Sequence, residues 1–197
     1  MSEIAGNSVI LLAAEFLSNA NEGKGILLGG ISGVPPAKVV ILGAGVVGVF
    51  AARAAIGLGA TVSVFDNNVF KLQRLQDKIN ARVFTSTIIP GILEHELQTA
   101  DVAIGAVHSK QGRTPVIVTE DMVSKMKAGS VLIDVSIDQG GCFETSEVTS
   151  HAEPTFKKYD VTHYCVPNIP SRVSRTASHA FSNIITPILL RCGELSG

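Results

Sequence analysis

The chain has 197 residues, of which 46% are hydrophobic and 17% are charged, and its formal net charge is −1. This length suffices for a substantial core in one domain with an appendage, or in two small domains. The near-neutral charge, without an extended basic stripe, argues against nucleic acid or an acidic membrane surface as a partner.

Two further classes are excluded by local features. The opening segment has Glu3 where a secretory signal would carry basic residues, so it does not have the character of a signal peptide. The longest uncharged run near the glycine-rich region, 39–52, has 14 residues, short of the ~20 that a membrane-spanning helix needs.

The three cysteines, Cys142, Cys165 and Cys192, are widely spaced and form no CxxC pair. We therefore expect free thiols in a reducing compartment, the cytoplasm, and no metal site.

The elements alternate along most of the chain. Apolar residues recur at helical spacing over 4–17, and "NEGKGILLGGISGVPPAK" (21–38) is a connector rich in glycine and proline. The predicted strands that follow are Lys38–Leu42, Thr61–Phe65, 81–86, 101–107, 130–136 and 161–166. The predicted helices are 46–58, 69–78, 91–100, 119–126 with Thr119 as its N-cap, and 176–191, in which Pro187 predicts a kink or a break.

This alternation predicts an α/β fold of the Rossmann type, with a doubly wound, mostly parallel sheet and flanking terminal helices. The many Val, Ile, Ala and Gly residues suit strands that are covered on both faces. We divide the chain into an N-terminal helix and connector (1–37), a dinucleotide-binding Rossmann domain (38–175) and a C-terminal helix (176–197). The two terminal helices fall outside the α/β pattern and have the character of connections to another domain.

Gly43, Gly45 and Gly48 form a GxGxxG pattern that follows a predicted strand and opens a predicted helix. In a dinucleotide turn the first glycine permits the tight turn, the second lets the backbone approach the pyrophosphate, and the third lets helix and strand pack closely. The helix N-terminus then offers unpaired N–H groups to the phosphates. Asp66 ends the next strand, where a carboxylate binds the adenosine ribose and repels a 2′-phosphate, which favours NAD over NADP.

Alternatives stay open at this point. A GxGxxG pattern alone also fits a glycine-tolerant turn in any α/β domain, and Asp66 also fits a turn residue or an N-cap. Enzymes that use S-adenosylmethionine also combine a glycine-rich first turn with an acid on the second strand.

A longer region carries a family resemblance. The segment "GSVLIDVSIDQGGCFETSEVTSHAEPTFKKYDVTHYCVPNIPSRVSRTAS" (129–178), with "GVPPAKVVILGAGVVG" and "ADVAIGAV" before it, closely resembles the nucleotide-binding domain of alanine dehydrogenase. That family shares its fold with the alpha subunit of nicotinamide nucleotide transhydrogenase. The resemblance covers nearly the whole chain. Transhydrogenases typically carry an "AENGGN"-like sequence where this chain has "DQGGCFETS", so the dehydrogenase branch fits better.

The resemblance implies an NAD(H)-binding domain whose parent enzyme, an NAD-dependent oxidoreductase, reversibly deaminates L-alanine to pyruvate and ammonium by hydride transfer. The family's amino-acid domain has no counterpart in this sequence. We therefore expect the chain to bind NAD(H) but to be inactive alone, and to meet L-alanine or pyruvate only with that domain. The resemblance also implies that the parent is a homo-oligomer. The alternative is the NAD(H)-binding domain of a transhydrogenase alpha subunit, or a stand-alone NAD(H)-binding module.

Carried across by position, the resemblance gives roles to individual residues. It makes Asp138 the catalytic residue, which faces the nicotinamide and substrate and orients the reacting groups; the plainer reading is that Asp138 ends the strand and caps backbone. The implied cofactor-binding residues are Ser2, Gly43, Gly45, Val46, Val47, Gly48, Asp66, Lys71, Val107, His108, Ile137, Asp138, Val166, Asn168 and Ile169. Among these, Ile169 and His108 depart from the family's usual residues, as does the neighbouring Pro167, and the His108 side chain fits a solvated loop residue better than a ligand.

Overall fold

A seven-stranded sheet forms the centre of the computed structural model, which describes residues 1–109 and 112–194. Its strands are β1 (Lys38–Leu42), β2 (Thr61–Phe65), β3 (Phe84–Ser86), β4 (Val102–Gly105), β5 (Val131–Asp134), β6 (Thr155–Lys158) and β7 (Val161–Tyr164). Their order is β3-β2-β1-β4-β5-β7-β6, and every pair is parallel except β6 with β7. The predicted Rossmann-type, mostly parallel sheet is therefore confirmed.

Helices cover both faces of the sheet. They are α1 (Ser2–Leu17), α2 (Val46–Gly57), α3 (Val69–Ile79), α4 (Pro90–Gln98), α5 (Glu120–Ser124) and α6 (Ser174–Glu194). Alternate residues of β1 divide between two hydrophobic clusters, because successive side chains of a strand point to opposite faces. Val39 and Ile41 pack with α1, α2 and α3, whereas Val40 and Leu42 pack with α4 and α5.

The two terminal helices differ in their environment. One face of α1 is buried, including Val9, Ile10 and Leu17, and it belongs to the same core cluster as the sheet. In α6, by contrast, nearly all side chains are exposed, and Phe181 and Ile184 have exposed fractions of 58% and 66%. The N-terminal helix is thus packed on the Rossmann sheet, whereas α6 leaves its apolar side chains uncovered by the described residues.

Several predicted boundaries change, one prediction is wrong, and one strand was not predicted. The fifth and sixth strands end two residues early, at Asp134 and Tyr164. Of the kink or break predicted at Pro187, the break does not occur: α6 continues through Pro187, because the fixed φ of proline lies in the helical range. Strand β6 was not predicted at all. By contrast, Thr119 caps α5 as expected, its hydroxyl accepting a hydrogen bond from the N–H of Met122 at 3.3 Å.

None of the helices within residues 1–109 and 112–194 combines the length and the apolar character that crossing a bilayer would require.

A buried histidine joins β7 to the loop that follows β5. The ring of His163 is fully buried and stacks on Phe156 with centroids 4.7 Å apart. Its Nδ1 contacts the carbonyl oxygen of Val161 at 2.9 Å, and its Nε2 contacts the hydroxyl of Thr145 at 2.8 Å. Because a carbonyl only accepts, Nδ1 carries the proton and Nε2 accepts from Thr145. Burial lowers the pKa of His163, so the ring is neutral in the folded protein.

We expect acidification from about pH 7.5 to about pH 5 to destabilise the fold through His163. The unfolded chain takes up a proton near its ordinary pKa of about 6.5, whereas the folded ring does so only at lower pH. Stability present above about pH 6.5 is therefore lost as the pH falls through the folded pKa. Urea unfolding at both pH values should show His163→Gln to be about 1–3 kcal/mol less stable near pH 7.5, with a smaller loss on acidification than the wild type.

His95→Gln is the matched control, because His95 is exposed on α4. It should retain the wild-type dependence on pH. A pH dependence of His163→Gln as steep as that of the wild type would contradict the assignment.

Candidate functional site

A cleft opens at the carboxyl edge of the sheet, where the strand order reverses between β1 and β4. Chain connections run in opposite directions from this point, which leaves a crevice that binds ligands in open α/β sheets. The cleft has a volume of about 470 Å³ and is lined by the glycine loop, the start of α1 and the loops after β4, β5 and β7. A cleft of this size accommodates a small-molecule ligand or cofactor.

The glycine loop has the geometry that its sequence predicts. Gly43 has φ +104°, and a Cβ there would collide with the carbonyl of Ala106. A Cβ on Gly48 would collide with the carbonyl of Gly43, so α2 lies closer to β1 than any side chain allows. Gly43 and Gly48 permit the tight turn and the close packing of α2, but they do not line the cleft.

The start of α2 presents backbone donors to the cleft. Its N-cap is Gly45, which has no side chain to cap the helix, and Val46 and Val47 follow on the cleft wall. A Cβ on Gly45 would have no described atom within 4 Å, so the space in front of this helix end is open. Unpaired N–H groups and the positive end of the helix dipole make this position suited to a phosphate.

Asp66 connects β2 to the glycine loop. Its carboxylate accepts hydrogen bonds from the N–H groups of Ala44 and Asn68, each at 2.8 Å, and lies 3.7 Å from the Nζ of Lys71. A carboxylate oxygen has more than one acceptor position, so ribose hydroxyls can bind in addition to these donors. Asp66 is thus part of the loop's own scaffold, and Lys71 reaches the cleft beside it.

The loops after β4 and β5 form the opposite wall. A 3₁₀ helix (Val135–Gln139) follows β5 and carries Asp138, which is exposed at the cleft. Within the described part of the chain, no hydrogen bond or ion pair engages the Asp138 carboxylate. Gly140 and Gly141 then have φ +92° and +77°, in the left-handed region that favours glycine, and turn the chain after the 3₁₀ helix.

The third part of the wall follows β7. Val166 and Ile169 are buried to 2% exposure, and Asn168 between them has φ +55°, a conformation that asparagine tolerates better than most residues. Met1 and Ser2, at the start of α1, lie on the same cleft. Val166 and Ile169 therefore give this part of the cleft an apolar surface, next to the exposed side-chain amide of Asn168.

The structure brings most of the predicted site residues together. Those that line the cleft are Ser2, Gly45, Val46, Val47, Lys71, Val107, His108, Asp138, Val166, Asn168 and Ile169. Gly43, Gly48 and Asp66 lie directly behind the loop. Ile137 is buried, and its side chain lies against the Gly141 position instead of the cleft.

Sequence reasoning missed two polar residues on the wall. The Oγ of Ser136 accepts a hydrogen bond from the N–H of Val107 at 3.0 Å. The amide of Gln139 both accepts from the N–H of Ser109 and donates to its carbonyl, at 3.1 and 3.0 Å. Both residues flank Ile137 and Asp138, so position alone was the available signal. The other lining residues that were not predicted are Met1, Ala5, Ala106, Val135 and Pro170.

Comparison with known proteins identifies the family. The family model described as "Alanine dehydrogenase/PNT, C-terminal domain" matches residues 9–196. The chain belongs to this family. Domains of the alanine dehydrogenase/PNT family bind NAD(H), in agreement with the cofactor expected from Asp66 and the glycine loop.

Individual relatives favour the dehydrogenase branch. The chain is 46% identical over 194 residues to an alanine dehydrogenase from Halomonas elongata, a match that covers 98% of this chain and 52% of that protein. A solved structure of an L-alanine dehydrogenase superposes with a TM-score of 0.95 at 44% identity, covering 98% of this chain and 54% of the other. A transhydrogenase from Sinorhizobium meliloti has the same fold, with a TM-score of 0.83 at 24% identity and coverage of 98% and 55%. The chain spans about half the length of the curated relatives it matches.

We expect Gly45→Ala to weaken cofactor binding without destabilising the fold. Gly45 has φ −74° and ψ −167°, which alanine adopts readily, and its new methyl group would meet no protein atom. The methyl group would instead occupy the space in front of α2, so NADH affinity should fall at least about 10-fold, measured by calorimetric titration. The free energy of unfolding, measured by thermal denaturation, should change by less than about 0.5 kcal/mol.

Gly57→Ala is the matched control, because a Cβ there also meets open space but lies at the other end of α2. It should leave NADH binding unchanged. Equal loss of binding in both variants would contradict the proposed position of the phosphates.

Proposed function

We propose that this chain is the NAD(H)-binding half of an L-alanine dehydrogenase, which reversibly deaminates L-alanine to pyruvate and ammonium. The observation that carries the proposal is the cleft at the switch point, with a helix N-terminus that no side chain caps and an aspartate at the end of β2. The 46% identity to an alanine dehydrogenase over 98% of the chain supports the choice of enzyme.

The cofactor is proposed to lie across the carboxyl edge of the sheet. Its adenosine ribose binds Asp66, with Lys71 beside it, and its pyrophosphate binds the N–H groups at Val46 and Val47. The nicotinamide end lies between the loop of Val107 and His108 and the loop of Asp138, above Val166, Asn168 and Ile169. Ser2 lines the same cleft from α1, on the side where the substrate is proposed to enter.

In this arrangement the nicotinamide supplies the hydride acceptor, and the protein orients the reacting groups around it. The carboxylate of Asp138 is exposed in the cleft and unengaged by the described residues, so it can accept a hydrogen bond from a substrate ammonium or a cofactor amide. Orientation of this kind contributes strongly to rate, because it replaces random encounter by a fixed geometry. The remaining groups that bind the substrate carboxylate are proposed to belong to the other half of the complete enzyme.

That other half is proposed to continue from the terminal helices. The apolar side chains of α6 are exposed, including Phe181, Ile184 and Ile188, which supports a role for α6 as a helix leading toward the substrate domain. We further propose that the complete enzyme is a homo-oligomer. The buried free thiols of Cys142 and Cys165 suit the reducing cytoplasm.

NADH should bind this chain at least about 10-fold more tightly than NADPH, because the Asp66 carboxylate repels a 2′-phosphate. Calorimetric titration with NADH, NADPH and S-adenosylmethionine distinguishes the candidate ligands, and S-adenosylmethionine should not bind. In Asp66→Asn, which removes the charge, the ratio of the NADH affinity to the NADPH affinity should fall toward one. The control Asp77→Asn makes the same charge change on the exposed side of α3 and should keep the wild-type ratio. A preference for NADPH would refute the role of Asp66.

The 197 residues alone should produce no NADH from L-alanine and NAD, and a fusion to the N-terminal half of the Halomonas elongata relative should do so. In that fusion, Asp138→Asn should lower kcat about 100-fold or more while the Kd for NADH changes less than about threefold, because Asp138 orients the reacting groups without holding the adenosine end. Stopped-flow turnover and fluorescence titration measure the two quantities. Asp121→Asn, an exposed acid on α5, should leave both unchanged. An unaltered kcat in Asp138→Asn would refute the proposed role of Asp138 in orienting the reacting groups.

A further inference from the structure

A fully buried carboxylate lies directly behind the cleft wall. Asp134 is the last residue of β5 and has no exposed surface. The groups that bond to it are neutral, and burial raises the pKa of its carboxyl. Burying a carboxylate without a cation beside it is costly, so stability alone would favour an apolar residue at this position.

The donors to Asp134 all come from the loop that follows it. They are the N–H groups of Ser136 and Cys142, each at 2.9 Å, the N–H of Phe143 at 3.4 Å, the hydroxyl of Ser146 at 2.7 Å and the thiol of Cys142 at 3.8 Å. Backbone N–H groups can only donate, so these contacts require the oxygens of Asp134 as acceptors. One side chain therefore fixes the path of the chain from 135 to 146.

The surrounding backbone leaves room for this carboxylate. A Cβ on Gly105 of β4 would lie 2.8 Å from Oδ1 of Asp134, and a Cβ on Gly141 would lie 2.8 Å from Oδ2. A side chain at either position would displace the carboxylate or the loop. The two glycines and Asp134 thus form one packed unit beneath the 3₁₀ helix.

This unit is connected to the cleft by two hydrogen-bonded steps. Oδ1 of Asp134 accepts from the N–H of Ser136, whose own Oγ accepts from the N–H of Val107. Further along the same 3₁₀ helix, the amide of Gln139 holds both backbone groups of Ser109. The loops after β4 and β5 are therefore joined at Val107 and at Ser109, and Asp134 lies at the start of the second loop. Val107, Ser136 and Asp138 on these loops all line the cleft.

We propose that Asp134 is a positioning residue for the nicotinamide end of the cofactor site, which it sets by fixing the loop of Ser136 and Asp138 and, through Ser136, the backbone at Val107. The proposal rests on the proposed NAD(H)-binding function. It concerns one end of the cofactor, because the adenosine and pyrophosphate contacts come from α2 and Asp66 on the other side of β1. Asp134 itself does not touch the cleft.

The test compares two ligands on the folded chain, NADH and ADP-ribose, which lacks the nicotinamide. Asp134→Asn keeps the shape but replaces one acceptor by an amide donor that faces backbone N–H groups. NADH affinity should fall about 10- to 100-fold, the range expected when a hydrogen bond to a charged group is lost. ADP-ribose affinity should stay within about threefold. A general loss of structure would weaken the binding of both ligands alike. The ratio of the NADH affinity to the ADP-ribose affinity is therefore the decisive quantity.

Asp101→Asn is the matched control. Asp101 is also a buried acid that accepts a backbone hydrogen bond, from the N–H of Lys38 at 2.9 Å, but it lies at the amino edge of the sheet. Its loss should reduce stability and leave the ratio of the two affinities at the wild-type value.

A second variant covers the case in which Asp134→Asn does not fold. Ser136→Ala removes only the hydroxyl that holds the Val107 N–H, and it should lower NADH affinity more than ADP-ribose affinity. An unchanged ratio in folded Asp134→Asn, or in Ser136→Ala if the first variant does not fold, would overturn the inference. If the wild-type chain binds neither ligand, the proposed function itself fails; if the wild type binds NADH but the ratio does not move, only the role of Asp134 fails.

Discussion

The close approach of α2 to β1 is the constraint on which the rest of the site depends. Gly48 lies against the carbonyl of Gly43, and on its other side α2 meets α1, where a Cβ on Gly6 would strike the carbonyl of Val47. Because no side chain separates these elements, the N-terminus of α2 is held at the carboxyl edge of the sheet. The starts of both helices therefore reach one cleft, and the open space at Gly45 lies between them.

Around this cleft, neutral backbone N–H groups are the main partners of negative charge. The uncapped N–H groups of α2 offer partial positive charge without the long, flexible side chain of a lysine, so the position of the charge is fixed by the backbone. The same solution recurs at Asp66 and Asp134, whose carboxylates accept backbone N–H groups. Among the residues that the structure describes, only Asp66 of these two has an ion pair, with the partly exposed Lys71. Backbone donors keep the geometry rigid and let the ligand supply the net charge.

The sequence predicts what is local and misses what depends on distant partners. Gly43, Gly45, Gly48 and Asp66 follow from spacing, because all four lie on the consecutive elements β1, α2 and β2 or on the turns that join and end them. Strand β6 was missed because its hairpin turns at Tyr159 and Asp160, both with positive φ, in place of the Asn-Gly type that signals such a turn. The role of Ser136 was missed for another reason: its hydroxyl is defined by Val107, 29 residues earlier, which no local pattern reveals. The role of Asp138 itself stays a prediction.

The two ends of the proposed cofactor site are built by different means, and this separates affinity from chemistry. The adenosine and pyrophosphate side uses elements that belong to the first βαβ unit, β1, α2 and β2, which follow one another in the chain and pack directly together. The nicotinamide side uses loops from three separate strands, β4, β5 and β7, whose relative positions are fixed by buried groups such as Asp134 and His163. Since the second arrangement depends on many long-range contacts, substitutions in its buried supports should alter the reacting end of the site while the first unit continues to bind its ligand. The loop that carries Asp138 is anchored by a different carboxylate, Asp134, four residues earlier in the chain. The exposed Asp138 is therefore not needed to hold the loop in place.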